Sequence, residues 1–184
     1  MRVFAKLVFA GSFVVVTLCA NTALAQPTRS VVDAVETVCY IVDPGTQWVT
    51  GDGILHIRGQ VRKDRVVPQN EPRVDGWAYL FANLDLNTNT GDGTFSGMLI
   101  VQPIAPSLSA GNFQGRFTGK ITAGAAEGKA EAQGQGIFDG LKLSGTFADF
   151  PSDPATAPCP PDAVRPFPDH RTKVDGVIFA PNSK

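Results

Sequence analysis

Phe-x-Gly occurs four times between residues 95 and 140, as Phe95-Ser96-Gly97, Phe113-Gln114-Gly115, Phe117-Thr118-Gly119 and Phe138-Asp139-Gly140. Each copy lies in a stretch that alternates apolar and polar residues with a period of two. Residues i and i+2 of a strand share a face, so each Phe and its Gly point the same way. The chain must therefore build an antiparallel sheet whose inner layer sets large rings beside bare backbone.

Three successive stretches carry the pattern cleanly. Phe113, Gly115, Phe117, Gly119 and Ile121 oppose Gln114, Arg116, Thr118, Lys120 and Thr122. Ala130, Ala132, Gly134 and Gly136 oppose Lys129, Glu131, Gln133 and Gln135. Leu141, Leu143, Gly145 and Phe147 oppose Lys142, Ser144 and Thr146. Rings on one strand face Gly and Ala on the next, which fills space without overpacking. Twelve of the 19 glycines fall between Gly91 and Gly145. Glycine at that density inside strands marks bends and bulges, so the sheet is expected to close or coil strongly.

Upstream, Ile54–Arg62 alternates, with Leu55, Ile57 and Val61 on one face and His56, Arg58 and Gln60 on the other. Trp77–Leu86 is apolar on both faces, Trp77, Tyr79 and Phe81 on one and Ala78, Leu80, Ala82, Leu84 and Leu86 on the other. Such a strand is expected to be covered on both sides. Thr94–Gln102 returns antiparallel after the Asn87–Gly93 turn, and Val174–Ala180 reads as a last strand. Ser30, Val31, Val32, Ala34, Val35 and Val38 have helical spacing with Ser30 placed to cap, although their β-branched side chains argue against it. A short N-terminal helix leading into a strand at Val38–Val42 is the expectation.

Residues 1–25 read as an export signal. Arg2 and Lys6 precede an apolar run through Val8, Phe9, Phe13, Val14, Val15, Val16 and Leu18, and Ala23-Leu24-Ala25 supplies the small-x-small cleavage site. The run is too short for a comfortable membrane span. Cleavage near Ala25 places the protein in the periplasm or outside the cell, with no membrane span after processing. Loss of Arg2 and Lys6 takes the formal net charge from −1 to −3, so nothing basic remains to attract nucleic acid or an anionic bilayer. The mature chain supports one barrel domain over 26–150, followed by a Pro-rich segment, 151–184, expected to wrap it. Seven prolines fall within 151–173, and prolines bar that stretch from strand interior or helix.

Cys39 and Cys159 survive processing into an oxidising compartment, where one bridge can persist. It would close a loop of about 120 residues, worth about 4–5 kcal/mol on the chain-entropy model. Two free, buried thiols are the alternative.

Gly134-Gln135-Gly136-Ile137-Phe138-Asp139-Gly140-Leu141, running on to Gly145-Thr146-Phe147, resembles a hairpin of the allene oxide cyclase-like and dirigent-like barrels. The resemblance covers residues 76–150. It implies an all-β fold, an antiparallel meander closed into a small eight-stranded, calycin-like barrel around a hydrophobic cavity. Members bind or reshape small apolar molecules, often as homo-oligomers. Their catalytic residues do not map onto this sequence.

The segment Asp85–Asp92 offers oxygen ligands at alternating positions, as a calcium loop does, but Thr90 stands where the tight-turn glycine belongs and Ser96 where the closing carboxylate belongs. A hairpin turn explains the segment better, and neither metal nor cofactor is assigned. Asp139 and Asp149 read as solvated turn and strand-end residues.

The candidate ligand-binding residues are His56, Arg58, Trp77, Tyr79, Phe81 and Asn83. If their faces line the cavity, His56 and Tyr79 are the polar groups that would orient a ligand carbonyl or act as acid and base. The simpler reading, which the pattern favours, makes His56 and Arg58 a solvated outer face and the aromatics ordinary core packing. The functional expectation is an exported barrel that binds a small, mostly apolar molecule. The alternatives are an allene oxide cyclase-like cyclase or isomerase, and a structural protein whose barrel is filled by its own side chains.

Overall fold

The alternating segments form nine strands in a computed structural model that describes residues 29–151, 159–163 and 170–181. They are β1 Arg29–Asp43, β2 Thr46–Val49, β3 Ile54–Pro68, β4 Gly76–Asn87, β5 Gly93–Pro103, β6 Gly111–Thr122, β7 Ala125–Gly136, β8 Lys142–Pro151 and β9 His170–Phe179. Neighbours run in the order β1-β9-β8-β7-β6-β5-β4-β3-β2, and β1 also pairs with β3, which closes the sheet. Every pairing is antiparallel. β2 follows the Pro44-Gly45 break and continues the line of β1 along β3, so the barrel has eight staves.

The helix expected from Ser30 is absent. Val31, Val32, Val35 and Val38 are part of β1, paired on one side with β9 and on the other with β3. Their stiff β-branched side chains favour the pleated surface over a helix once partners exist on both sides. Helical structure among the described residues is limited to the 3₁₀ turns Pro72–Val74 and Pro106–Leu108. The export signal expected at 1–25 lies outside the described residues, as does most of the Pro-rich stretch. The barrel also reaches past residue 150, because β9 sits between β8 and β1 and closes the ring. Cys39 and Cys159 form a disulfide across a separation of 120 residues, and the Tyr40 hydroxyl donates to Asp162 Oδ1 at 3.2 Å.

The repeated Phe-x-Gly triplets act as a packing code. Phe95 stands opposite Gly119, Gly97 opposite Phe117, and Gly128 opposite Phe147. A Cβ built on Gly97 would come within 2.8 Å of Phe117 Cζ, one on Gly128 within 2.6 Å of Phe147 Cζ, and one on Gly119 would run into the Phe95 ring. Ring centroids of Phe95 lie 6.1 Å from Phe117 and 5.9 Å from Phe147. Only Phe138 departs from the strand pattern. It sits in the β7–β8 turn, fully buried, with its ring stacked 5.2 Å from Phe113, a contact worth about 0.5–1.5 kcal/mol beyond its buried area.

Packing is uneven along the barrel. At the end bounded by Pro68, Gly76, Pro103 and Gly136, Val32, Ala34, Val66, Val74, Ala78, Leu99, Val101, Phe113, Phe138 and Ile178 are buried and form a continuous core. Val74 and Phe138 plug this end. Beside the plug, Arg73 Nε donates to Glu71 Oε1 at 2.7 Å, and Arg73 Nη2 to Glu71 Oε2 at 2.6 Å and Ser30 Oγ at 2.8 Å. Burial would raise the Glu71 carboxyl's pKa, but hydrogen bonds from Arg73 outweigh it and hold it below the usual range. Toward the opposite end, the inward-facing Leu80, Ala82, Leu84, Phe95, Ala130 and Phe147 are only half-buried. The barrel is solid at one end and less tightly filled at the other.

Candidate functional site

A bulge in β3 decides which chemistry enters the barrel. Ile57 pairs with Leu84, but the next registered pair is Gln60 with Ala82, leaving Arg58 and Gly59 against the single residue Asn83. Gly59 has φ +71°, a backbone region glycine occupies without the steric cost other residues bear. Its N–H donates to Asn83 Oδ1 at 3.0 Å. The extra residue switches the face of everything after it. Val61, expected inside with Leu55 and Ile57, pairs with outward Phe81, while Gln60, Arg62 and Asp64 pair with inward Ala82, Leu80 and Ala78.

These groups meet others from β1, the neighbouring strand across the closure, and from β9 and β8 beyond it. Val38 pairs with Asp64 and Glu36 with Val66, and Glu36 also stands opposite Thr172 of β9, itself opposite Asp149 of β8. Arg62 Nη2 donates to Asp64 Oδ2 at 2.8 Å; Asp64 is fully buried and Arg62 keeps 26% of its side-chain surface. Thr172 Oγ1 donates to Asp149 Oδ1 at 2.8 Å and the Ala126 N–H to Asp149 Oδ2 at 3.1 Å. Asp149 is therefore an internal acceptor rather than the solvated strand-end residue its position suggests.

Three carboxyl groups share one guanidinium here, and the imbalance falls on Glu36. Burial first, then the charge and hydrogen bond of Asp64, push its pKa well above the usual carboxylate range. Burial alone would lower that of Arg62; the charges of Asp64, Glu36 and Asp149 reverse this and raise it. With both carboxyls ionised, Glu36 Oε1, Asp64 Oδ1 and Arg62 Nε are buried without a hydrogen-bond partner; a proton on Glu36 would be shared with Asp64. Buried polar atoms in folded proteins are nearly always paired, so three such atoms in one internal cluster describe a place that can accept hydrogen bonds from, and donate one to, a guest. Burial and the neighbouring Asp64 favour the protonated form of Glu36, the form that can act as an acid.

Sequence reading missed Glu36, Arg62, Asp64, Asp149 and Thr172. Gly59 in mid-strand was the available signal, because a glycine there marks a bulge and the residues after it alternate Gln60, Arg62, Asp64.

The residues selected from sequence lie on the outer wall. Trp77, Tyr79, Phe81 and Asn83 occupy the outward face of β4, opposite the face that carries Ala78 and Leu80 into the core. Lys63 lies 4.3 Å from the Trp77 ring centroid and 5.7 Å from those of Tyr40 and Tyr79. Phe81 and its partner Met98 are 42% and 57% exposed; the second layer expected over Trp77–Leu86 does not cover them among the described residues.

His56 and Arg58 do come together, around Asp85. His56 Nδ1 is 2.5 Å and Arg58 Nη2 2.6 Å from Asp85 Oδ1. Hydrogen bonds from Arg58 and then His56 hold the Asp85 carboxyl below its usual range. Trp48 stacks on His56 with centroids 5.0 Å apart. Two clefts open on this wall: one of about 430 Å³ beside Arg58, Asn83 and Asp85, and one of about 650 Å³ between Lys120, Lys129, Thr146 and Lys173. In the Asn87–Gly93 turn, Asn87 Oδ1 caps the Asn89 and Thr90 N–H groups and Asp92 Oδ1 accepts from the Ala123 N–H. Those oxygens serve the hairpin.

Fold and interior together define an eight-stranded antiparallel barrel, plugged at one end, with a titratable cluster on the inner faces of β1, β3, β8 and β9. Compared with known proteins, the chain matches no family model and no curated relative. The barrel agrees with the architecture the hairpin resemblance implies; the resemblance to a particular family has no further support. Among the described residues no helix is long and apolar enough to cross a membrane.

Proposed function

We propose that this protein is an exported barrel that takes a small, mostly apolar molecule into the less tightly packed half of its interior. The polar end of the ligand would meet Glu36, Arg62 and Asp64. The observation that carries the reading is the trio of buried, unpartnered atoms, Glu36 Oε1, Asp64 Oδ1 and Arg62 Nε, beside the half-buried inward residues Leu80, Ala82, Phe95 and Phe147. A few convergent polar groups in an apolar lining is the usual composition of a small-ligand site. Export is supported by the reading of residues 1–25 and by the Cys39–Cys159 bridge, a bond suited to an oxidising compartment.

Phenylnaphthylamine, apolar with one N–H donor, is a suitable probe. Its fluorescence should rise on mixing with the mature protein. Ala82→Trp, which fills the space between Gln60 and Gly97, should abolish the rise while the circular dichroism spectrum is kept. No uptake by the wild type, together with no species retained in native mass spectra, would refute the proposal.

A second reading has its own support in the raised pKa of Glu36. A carboxyl whose protonated form is favoured is suited to donate a proton to a strained or unsaturated guest, as a cyclase or isomerase requires. Glu36→Gln would then keep probe binding and lose turnover. Equal turnover in the variant would exclude this role.

A further inference from the structure

The outer wall carries a second set of ligand-ready groups, built on the other side of the same bulge. From the exposed ring of Trp48 across β3 to β6, it presents an aromatic platform followed by a cleft of about 430 Å³ lined by Arg58, Asn83, Asp85, Thr94, Ser96 and Thr118. We infer that this groove binds a neutral oligosaccharide, one sugar ring stacked on Trp48 and the next hydrogen-bonded in the cleft.

The chemistry follows from what each group leaves open. Trp48 is 44% exposed although His56 stacks on it and the Arg58 Cζ sits 5.6 Å from its ring centroid. Arg58, which lines the cleft, also stands against this ring, so the exposed part of Trp48 lies next to polar groups. Sugars have that duality, with C–H groups on the flat of the ring and hydroxyls round its edge, and an indole attracts the polarised C–H face much as it attracts a cation. Asp85 directs Oδ1 to both His56 and Arg58, which leaves Oδ2 to accept from a hydroxyl. Asn83 directs its carbonyl oxygen to the Gly59 N–H, which leaves its amide N–H groups to donate.

Thr94, Ser96 and Thr118 are exposed and add hydroxyls that both donate and accept. Thr94 pairs with Asp85, Ser96 with Asn83, and Thr118 with Ser96, so the polar groups stand on paired strands. Groups held by sheet hydrogen bonds have little freedom to lose on binding. Arg58 and Asp85 neutralise one another at 2.6 Å, so the cleft has no spare charge to attract an ionic ligand. A volume of about 430 Å³ lies within the range of small-ligand sites, about 300–1,000 Å³.

The test uses the mature, disulfide-bonded protein, titrated separately with cellohexaose, maltohexaose and chitohexaose and followed by tryptophan fluorescence and calorimetry. At least one is expected to bind and to change the emission of Trp48. Trp48→Ala should weaken that binding at least tenfold, Trp48→Tyr should retain most of it, and Ser96→Trp, which fills the cleft from an exposed position, should abolish it. All three variants should take up phenylnaphthylamine as the wild type does, which shows that they fold. The inference is overturned if none of the three sugars binds at millimolar concentration, if Trp48→Ala binds as tightly as the wild type, or if binding is lost in Ala82→Trp instead. Preference for heparin or polygalacturonate over the neutral sugars would also overturn it.

Discussion

Replacing Arg62 with methionine removes the one cation that, among the described residues, acts on Glu36, Asp64 and Asp149, while keeping most of the side chain's volume. Asp64 has no exposed surface and loses its 2.8 Å partner, so its charge stays buried without compensation. Breaking a buried ion pair in this way costs about 3–5 kcal/mol, a large part of the 5–15 kcal/mol typical of a whole domain. With a urea m value of about 2 kcal/mol/M, the unfolding midpoint should fall by about 2 M. Adding Asp64→Asn removes the stranded charge. The double variant Arg62→Met/Asp64→Asn should therefore recover more than half of the loss, a positive coupling measurable by a double-mutant cycle. Urea unfolding followed by far-ultraviolet circular dichroism at neutral pH, with the disulfide intact, makes the measurement. If Arg62→Met alone costs less than about 1 kcal/mol, the value of a solvent-exposed pair, or if the double variant is as unstable as the single, Asp64 is not a buried charge held by Arg62. The interior site then loses its physical basis.

Stability should also depend on pH through Glu36. Its folded pKa lies above the ordinary value of 4.5, so its contribution is fully present below that value and is lost as pH rises through the folded pKa. Unfolding free energy measured upward from pH 4.5 should therefore fall in the wild type and fall less steeply in Glu36→Gln; equal slopes would remove Glu36 as the cause. Reduction of Cys39–Cys159, or the Cys39→Ser/Cys159→Ser variant, releases a 120-residue loop and should cost about 5 kcal/mol. Thermal melts with and without reductant measure that cost, and a change in Tm of only a degree or two would show that the bridge constrains little.

Strand content, barrel closure and the inward residues of β6, β7 and β8 were legible because those strands obey one rule throughout. Phe113 and Phe117 face in, Gln114 and Arg116 face out, and no bulge interrupts the count. The disulfide was legible because only two cysteines follow the expected signal. β1 was harder, since Val32, Ala34 and Val35 satisfy helical spacing as well as strand alternation, and only the presence of β9 and β3 on either side decides between them. The interior cluster was hidden for a different reason. A period of two carries no memory past an inserted residue, so a pattern read from Leu55 and Ile57 assigns Val61 inside and Arg62 outside, each to the wrong face. His56 and Arg58 could be placed on one outward face from sequence because the alternation holds up to the bulge, whereas their meeting at Asp85 needed the register of β4.

The same inserted residue sets both side-chain clusters. Without it, β3 would keep Val61 inside and turn Arg62 and Asp64 to solvent, leaving Glu36 and Asp149 on the inner face without a cation from β3. With it, Gly59 takes φ +71°, Asn83 Oδ1 closes on its N–H, and the strand delivers Arg58 outward to Asp85 and, four residues later, Arg62 inward to Asp64. A bulge costs ladder hydrogen bonds and a glycine inside a strand costs conformational entropy. Neither cost is offset by local packing, since a Cβ on Gly59 would meet nothing within 4 Å. The offset is electrostatic and lies on the two faces. One arginine neutralises an exposed carboxylate that orders the outer cleft, and the other a buried carboxylate that anchors the inner cluster. The Phe-x-Gly strands on the far side of the barrel need no such device because their inner face carries no charge. They supply a rigid wall of rings and glycines, and the bulged strand opposite supplies Arg62 and Asp64 of the inner cluster.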